Sequence, residues 1–339
     1  MQVTRIGIDL AKHVFQVHGV GADGSIAVRR KLRRSEVITF FAKLPPVLVG
    51  MEACATSHYW ARELGTLGHT VRLIPPAYVK PFVKRQKNDA ADAEAICEAV
   101  SRPSMRFVPA KSAEQQGVLV LHRTRDLLIR QRTMLANALR AHMAEFGVIE
   151  KLGGAGLETL MKQIEADEVS ALPGVAREGL LLLAGQIRDT QSRVTEIEKR
   201  ILAWHRASEV SQRLETIPGI GPIIASAIAA TVTEPGLFAS GRQLSAWLGL
   251  VPRQHSSGGK ERLRGITKQG DPYIRRLLII GATAVLRFSR HRAPSDWTSG
   301  LLTRRPPLVV AVALANKMAR VAWAILTRGE IYRTRAVPA

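Results

Sequence analysis

The chain is short of cysteine, and no long apolar run interrupts it. Cys54 and Cys97 are its two cysteines in 339 residues, a number that favours a reducing compartment and excludes a zinc finger. No apolar stretch reaches the about 18 residues that a membrane span needs. The opening residues also lack the basic and apolar segments of a signal peptide. We therefore expect a cytoplasmic protein with no membrane partner.

Acidic and aromatic residues are also scarce. The chain has 49 Lys and Arg against 28 Asp and Glu, which gives a net charge of +21. Such an excess predicts a polyanionic partner, because each neutralised phosphate releases counterions; a ribosome-like or merely soluble cationic surface is the alternative. Aromatic residues make up 5%, so stacking on unpaired bases is not expected to be the main binding mode. No phosphate-binding loop of the ATPase type is present.

Residues 1–110 alternate between strand and helix patterns. Strands are predicted at 4–10, 14–20, 25–32, 47–51 and 70–74, and the turn at 21–24 joins the second and third into a hairpin. Helices are predicted at 34–44, 57–67 and within KNDAADAEAICEAV. This order predicts an α/β sheet with an antiparallel edge.

Residues 111–206 are predicted to be a helical arm. A heptad repeat within 178–204 places one seam on Leu180, Ile187, Val194 and Ile201, and the other on Leu183, Thr190, Ile197 and Trp204. Residues 153–174 are predicted to form the bend. An arm of this kind serves oligomerisation or domain spacing more often than catalysis.

Residues 207–330 form a third, mostly helical region, followed by a tail at 331–339. In IPGIGP, Gly219 and Gly221 permit positive φ, and Pro222 suits the first turn of the next helix. Backbone N–H groups there can hold a phosphate, although a purely structural helical hairpin explains the same motif. Asp271 and Pro272 predict the start of a further helix, and an Ala-rich helix is predicted at 308–326.

Four acidic residues in the first region suggest a metal site. Asp9 ends the apolar run RIGIDL, Glu52 ends PPVLVGME, and Asp89 and Asp92 share one face of a predicted helix. Carboxylates about 4 Å apart repel by about 4 kcal/mol per pair at an effective dielectric near 20. Mg²⁺ or Mn²⁺ removes that repulsion and stabilises both oxygens of a phosphodiester exchange. Helix capping or a solvated helix surface is the alternative for Asp89 and Asp92 alone.

Basic residues cluster around a Ser/Gly loop at 255–260. They predict contacts to nucleic-acid phosphates, with a linker or a solvated surface as the alternative. The candidates are Arg253, Lys260, Arg262, Arg264, Lys268, Arg275 and Arg276. Further clusters, assigned only to backbone binding, comprise Arg29, Arg30, Lys31, Arg33, Arg34, Lys80, Lys84, Arg85 and Lys87.

Two blocks of motifs resemble one known family. GIDLAKHVF, VGMEACATSHYW and KNDAADAEAI resemble the RuvC-like (RNase H-like) Asp-Glu-Asp-Asp domain of the Piv-related transposases, the insertion-sequence one-ten family. IPGIGPIIASAIAA and LSAWLGLVPRQHSSGGKERLRGITKQGDPYIRRLLI resemble the transposase domain of that family. The resemblance covers both ends of the chain, whereas the helical middle is similar only in character.

The resemblance implies a prokaryotic, nucleoid-associated DNA recombinase of an insertion sequence. Asp9, Glu52, Asp89 and Asp92 would bind magnesium or manganese, and Ser257 would attack DNA to form a phosphoserine link. Ser256 is adjacent, and Gly259 and Lys260 stand where relatives vary. Implied partners are double-stranded DNA, a structured non-coding bridge RNA and further copies of the chain in a dimer or tetramer. A RuvC-like endonuclease that uses water and a non-catalytic nucleic-acid-binding protein are the alternatives.

Overall fold

The computed structural model describes residues 2–84, 88–256, 258, 262–288 and 296–333. The chain divides into two compact units, Met1–Gln116 and Gly117–Ala339. The first is mixed α/β and the second is mostly helical, as the sequence predicts. The finer division at residues 110 and 206 stays a prediction.

A five-stranded sheet forms the centre of the first unit, in the order β3-β2-β1-β4-β5. Strand β1 is antiparallel to β2, and β2 to β3, whereas β1, β4 and β5 run parallel. The predicted antiparallel edge is therefore confirmed. The strands are β1 Arg5–Asp9, β2 Val14–Val20, β3 Ile26–Arg33, β4 Leu48–Glu52 and β5 Thr70–Ile74.

Helices cover both faces of this sheet. On one face, alternate strand residues such as Ile8, Phe15 and Met51 form an apolar core with α1 and α2. The helix predicted at 34–44 is shorter than expected, because Arg34–Glu36 form a 3₁₀ turn. The helices of this unit are α1 Val37–Phe41, α2 Ser57–Thr66, α3 Pro76–Val79 and α4 Asp89–Ala99.

Two strand glycines let α4 lie directly on the other face. A Cβ built on Gly7 would lie 2.8 Å from the Cα of Cys97, and one on Gly50 would lie 2.8 Å from the Cβ of Val100. Both distances are shorter than packed atoms tolerate, so these positions require glycine at this helix–sheet spacing. Because Gly7 meets the middle of α4, the first turn of α4 lies beside the end of β1.

A long helical hairpin follows, made of α5 Ala113–Glu145 and α7 Gly174–Ala207. The helices are antiparallel, since Arg125 pairs with Glu198 at 2.7 Å and Arg132 contacts Gln191. The predicted seam of Leu180, Ile187, Val194 and Ile201 is buried, which confirms the heptad repeat. In the second seam Thr190 is buried, and Leu183, Ile197 and Trp204 are half-buried.

The prediction of a simple bend at 153–174 is wrong. Most of this segment is helix α6, Gly154–Glu165. Its residues Leu160, Met161 and Ile164 are buried against Leu139 and Met143 of α5. Their spacing of three to four residues places them on one helical face, and burial of that face stabilises a short helix that glycines would otherwise weaken.

The rest of the second unit packs around α13. Its helices are α8 Glu209–Glu215, α9 Pro222–Thr231, α10 Gly241–Trp247, α11 Pro272–Phe288, α12 Asp296–Leu302 and α13 Pro307–Arg328. Pro222 and Pro272 begin helices as predicted, and Asp271 accepts N–H bonds from Tyr273 and Ile274. A hairpin of β6 Pro252–Gln254 and β7 Leu263–Ile266 was not predicted, because its exposed strands lack apolar alternation.

Among the described helices, α13 alone is long and apolar enough to cross a membrane by length and composition. Seven of its residues, including Ala315, Met318 and Ala322, are buried in the core of the second unit. This packing accounts for its apolar composition.

Candidate active site

Three of the predicted acidic residues converge at one edge of the sheet. Asp9 ends β1, and Asp89 and Asp92 lie in the first turn of α4. One carboxylate oxygen from each lies within 4.8 Å of the others. Asn88 caps the helix, since its side chain accepts the N–H of Ala91 at 2.8 Å, and this fixes the first turn.

The fourth acid, Glu52, ends the neighbouring parallel strand. The pairing of Ile8 with Met51 places Glu52 beside Asp9 at the carboxyl ends of β1 and β4. Because strand side chains alternate between faces, Glu52 shares the α4 face with Gly50, as Asp9 does with Gly7. Its charge acts on Asp9.

This arrangement disfavours the ionised form of Asp9. Burial, followed by the charges of Asp92, Asp89 and Glu52, raises the pKa of Asp9 to about 6. A carboxylate that is hard to ionise beside three other acids is a site that lacks positive charge. The donor set fits a hard divalent cation such as Mg²⁺ or Mn²⁺, which takes carboxylate oxygens.

Comparison with known proteins places this geometry in a family. Residues 6–147 match the Asp-Glu-Asp-Asp transposase domain of the IS110 type, and residues 211–297 match the family described as "Transposase IS116/IS110/IS902 family". A probable family 20 transposase of Pseudomonas aeruginosa is 53% identical over 98% of this chain and 99% of its own length. The chain belongs to the IS116/IS110/IS902 transposase family.

Other relatives of this transposase are similar over nearly their whole length. The transposase of insertion sequence element IS1328 from Yersinia enterocolitica is 42% identical, over 97% of this chain and 98% of its own length. That of element IS1111A from Coxiella burnetii is 40% identical, over 98% of this chain and 92% of its own length. The predicted family is therefore confirmed: the protein is an enzyme of an insertion sequence that acts on DNA.

The Ser/Gly loop joins β6 to β7. Ser257 and Lys260 lie outside the described residues, and the neighbouring Ser256 is exposed. Around it, Arg262, Arg264 and Lys268 are exposed, as is Arg253, whose guanidinium donates to the carbonyl of Thr267 at 3.2 Å. The hairpin therefore presents several cations together. Arg85 and Lys87 of the first unit likewise fall outside the described residues.

Some predicted nucleic-acid contacts also have partners within the protein. Arg275 donates to the carbonyl oxygens of Leu248 at 3.0 Å and Gln269 at 2.6 Å, which ties α11 to the end of α10. Arg276 pairs with Asp126 and lies over the ring of Tyr273. In the first unit, Glu94 binds Lys84 at 2.7 Å and Arg29 at 3.6 Å. Their role with nucleic acid stays a prediction.

The two glycines of IPGIGP have different surroundings. Gly219 has a φ of +89°, and a Cβ there would lie 2.7 Å from Val285 and 3.0 Å from the carbonyl oxygen of Gly281. Packing and backbone conformation are thus sufficient reasons for glycine at this position. Gly221 is extended, caps α9, and has open space where a Cβ would be. A phosphate contact at either glycine stays a prediction.

A buried histidine was missed by the sequence reasoning. His122 of α5 is 1% exposed, and its ring nitrogens lie 3.0 Å from the hydroxyl of Tyr273 and 3.1 Å from that of Ser226. Burial, with a smaller contribution from Arg125, lowers the pKa of His122 to about 4. This network joins α5, α9 and α11. No sequence motif marks it, because its members lie more than 100 positions apart along the chain.

Proposed function

We propose that this transposase cleaves and rejoins DNA strands through a phosphoserine intermediate, with a divalent metal ion at the acidic site. The observation that carries the proposal is the convergence of Asp9, Asp89 and Asp92 beside Glu52. The strand order β3-β2-β1-β4-β5, with an acid at the end of β1, further supports a RuvC-like (RNase H-like) fold for the first unit.

Each residue has a defined chemical task. Asp9, Glu52, Asp89 and Asp92 would hold magnesium or manganese, which when bound stabilises negative charge on the reacting phosphate oxygens. The Ser257 oxygen forms a bond to phosphorus, its proton passes to a base, and one bridging oxygen of the DNA leaves. A free DNA end later attacks phosphorus and releases the serine. Because the phosphoester is conserved, no nucleoside triphosphate is needed.

The partners follow from the resemblance and from charge. A structured bridge RNA that pairs with target and donor DNA would guide the enzyme, and a dimer or tetramer would supply the acidic and serine-bearing units to each strand. The net charge of +21 and the exposed cations of the β6–β7 hairpin support binding of such polyanions. Localisation at the nucleoid in the cytoplasm follows from the same partners.

A water-dependent endonuclease is the second candidate. The acidic site alone provides what metal-assisted hydrolysis needs, and Ser257 would then only contact phosphate. The two candidates differ in one product: the serine route leaves protein covalently attached to a DNA end, whereas hydrolysis leaves a free nick.

The test uses radiolabelled DNA carrying the ends of the element, with RNA transcribed from the same element. We expect the parent protein and magnesium to give a protein–DNA adduct that survives denaturation. Ser257→Ala should abolish the adduct, Ser256→Ala should keep it, and Asp9→Asn should abolish both adduct and cleavage. Cleavage by Ser257→Ala without any adduct in the parent would establish hydrolysis instead.

A further inference from the structure

A large groove lies in the second unit, at the base of the β6–β7 hairpin. Its volume is about 1260 Å³, and its walls come from β6, β7, the start of α10, α12 and α13. None of the residues predicted from sequence to bind nucleic acid lines it, except Arg264. The groove is therefore a separate site from the acidic cluster.

The floor of the groove is apolar and open. Leu308 is 69% exposed and Val309 52% exposed at the start of α13, and Val312 and Ala313 continue this surface one turn later. Trp297 of α12 stands beside it, 42% exposed. An apolar surface of this kind next to an indole ring offers stacking and contact to flat, weakly polar groups.

The rim of the groove is strongly cationic. Six exposed cations line it against one carboxylate, that of Glu330: Arg242, Arg264, Lys317, Arg320, Arg328 and Arg333. The ion pairs found among the described residues all involve other side chains. Lys317 lies 4.8 Å from the ring centre of Trp297. The charge of the rim complements a chain of phosphates.

We infer that this groove binds an unpaired strand of DNA, with bases on the floor and phosphates on the rim. An apolar floor selects against a duplex, whose bases are stacked inside the helix and unavailable to it. It also favours DNA over RNA, because it offers no partner to a 2′-hydroxyl. The side-chain amide of Asn316 in the groove already donates to the carbonyl of Leu250.

The groove would hold the strand close to the hairpin whose loop contains Ser257. This inference rests on the proposed function only in taking DNA as the substrate. The few aromatic residues of the chain are consistent with it, since the phosphates and the apolar floor supply most of the binding and Trp297 is the aromatic side chain at this floor that we expect to stack.

Binding is tested apart from cleavage, with the full chain carrying Ser257→Ala and in EDTA. The probe is a fluorescein-labelled single strand of DNA, alongside its duplex and the RNA of the same sequence. In the variant Arg320→Gln/Arg328→Gln we expect about tenfold weaker binding or more at about 0.1 M salt. The slope of log K against log salt should fall by about 1.4, since each phosphate contact on a single strand contributes about 0.7.

A matched control removes the same charge elsewhere in this unit. Arg193 and Arg200 lie on α7 and are each 64% exposed; Arg193→Gln/Arg200→Gln should leave the slope unchanged. DNA should also quench tryptophan fluorescence in the parent, and Trp297→Phe should remove most of that quenching while affinity changes less than threefold.

Four outcomes would overturn the inference. They are equal losses in the groove variant and its control, equal losses for single strand and duplex, a loss confined to RNA, and a shift of oligomeric state in sedimentation caused by the groove variant alone. The last would identify the groove as an interface between copies of the chain. Because no cleavage is measured, failure here leaves the Ser257 and Asp9 tests of the proposed function intact.

Discussion

Gly7 of β1 lies directly against the backbone of Cys97 of α4. A Cβ at Gly7 would lie 2.8 Å from the Cα of Cys97 and closer still to the carbonyl oxygen of Ala93. No flexible side chain is available to move aside. The contact therefore sets the distance between the strand that ends in Asp9 and the helix that begins with Asp89.

Gly7→Ala should disrupt the acidic site without touching a carboxylate. The added methyl group pushes α4 from the sheet, which we expect to cost about 1–3 kcal/mol of stability and to weaken magnesium binding at least tenfold. Calorimetric titration and thermal unfolding measure both effects. Gly65→Ala on α2 is the control, since nothing lies within 4 Å of its Cβ position; unchanged metal affinity in Gly7→Ala would contradict the role of the contact.

Asp9→Asn should stabilise the metal-free protein. The pKa of Asp9 is about 6 instead of 3.8, a difference of about 3 kcal/mol at neutral pH, which partial exposure reduces to about 1–2. Thermal unfolding in EDTA at pH 7 should therefore occur at a higher temperature in the variant. Magnesium should then stabilise the parent but not the variant. Asp23→Asn is the control, because hydrogen bonds from Ser25 lower the pKa of Asp23; this variant should show no stabilisation.

The same group fixes a pH window. The unfolded carboxyl group ionises near pH 3.8 and the folded one near 6, so Asp9 favours folding fully below about pH 4. That contribution is lost as pH rises to about 6. The difference in stability between Asp9→Asn and the metal-free parent should grow over this window and be constant above it. A constant difference from pH 4 to 8 would show that Asp9 ionises normally.

His122 should give a dependence of opposite sign. Its pKa is about 4 in the folded protein, against 6.5 for a histidine side chain in water, so its neutral form stabilises the fold above pH 6.5. This contribution, about 3 kcal/mol, is lost as pH falls from 6.5 to 4. Hydrogen exchange in α9 and α11 should accelerate over that range in the parent. The acceleration should be weaker in His122→Gln and unchanged in the control His142→Gln on the exposed side of α5.

Gly219→Ala should destabilise the second unit. The substitution combines a positive φ with a Cβ 2.7 Å from Val285, and we expect a loss of about 2 kcal/mol or more. Gly221→Ala, with extended backbone and open space, should change stability by less than about 0.5 kcal/mol. Thermal unfolding of the two variants decides between them, and equal stability would mean that the glycine at 219 has no packing role.

The sequence by itself determined the elements and the family. Apolar alternation predicted all five strands of the sheet, the heptad repeat predicted the seam of α7, and Pro222 and Pro272 marked helix starts. These patterns are local, because a strand or helix buries one face that its own residues define. The acids at strand ends and the motif blocks then identified the transposase family.

Tertiary structure alone decided how distant residues meet. Nothing local to Gly7 shows that α4 will lie against it, and so the distance from Asp9 to Asp89 and Asp92 is fixed only by packing. Helix α6, the β6–β7 hairpin, the His122 network and the cationic groove were missed for the same reason. Each depends on contacts between segments far apart along the chain, and the burial that stabilises them exists only once the units have folded.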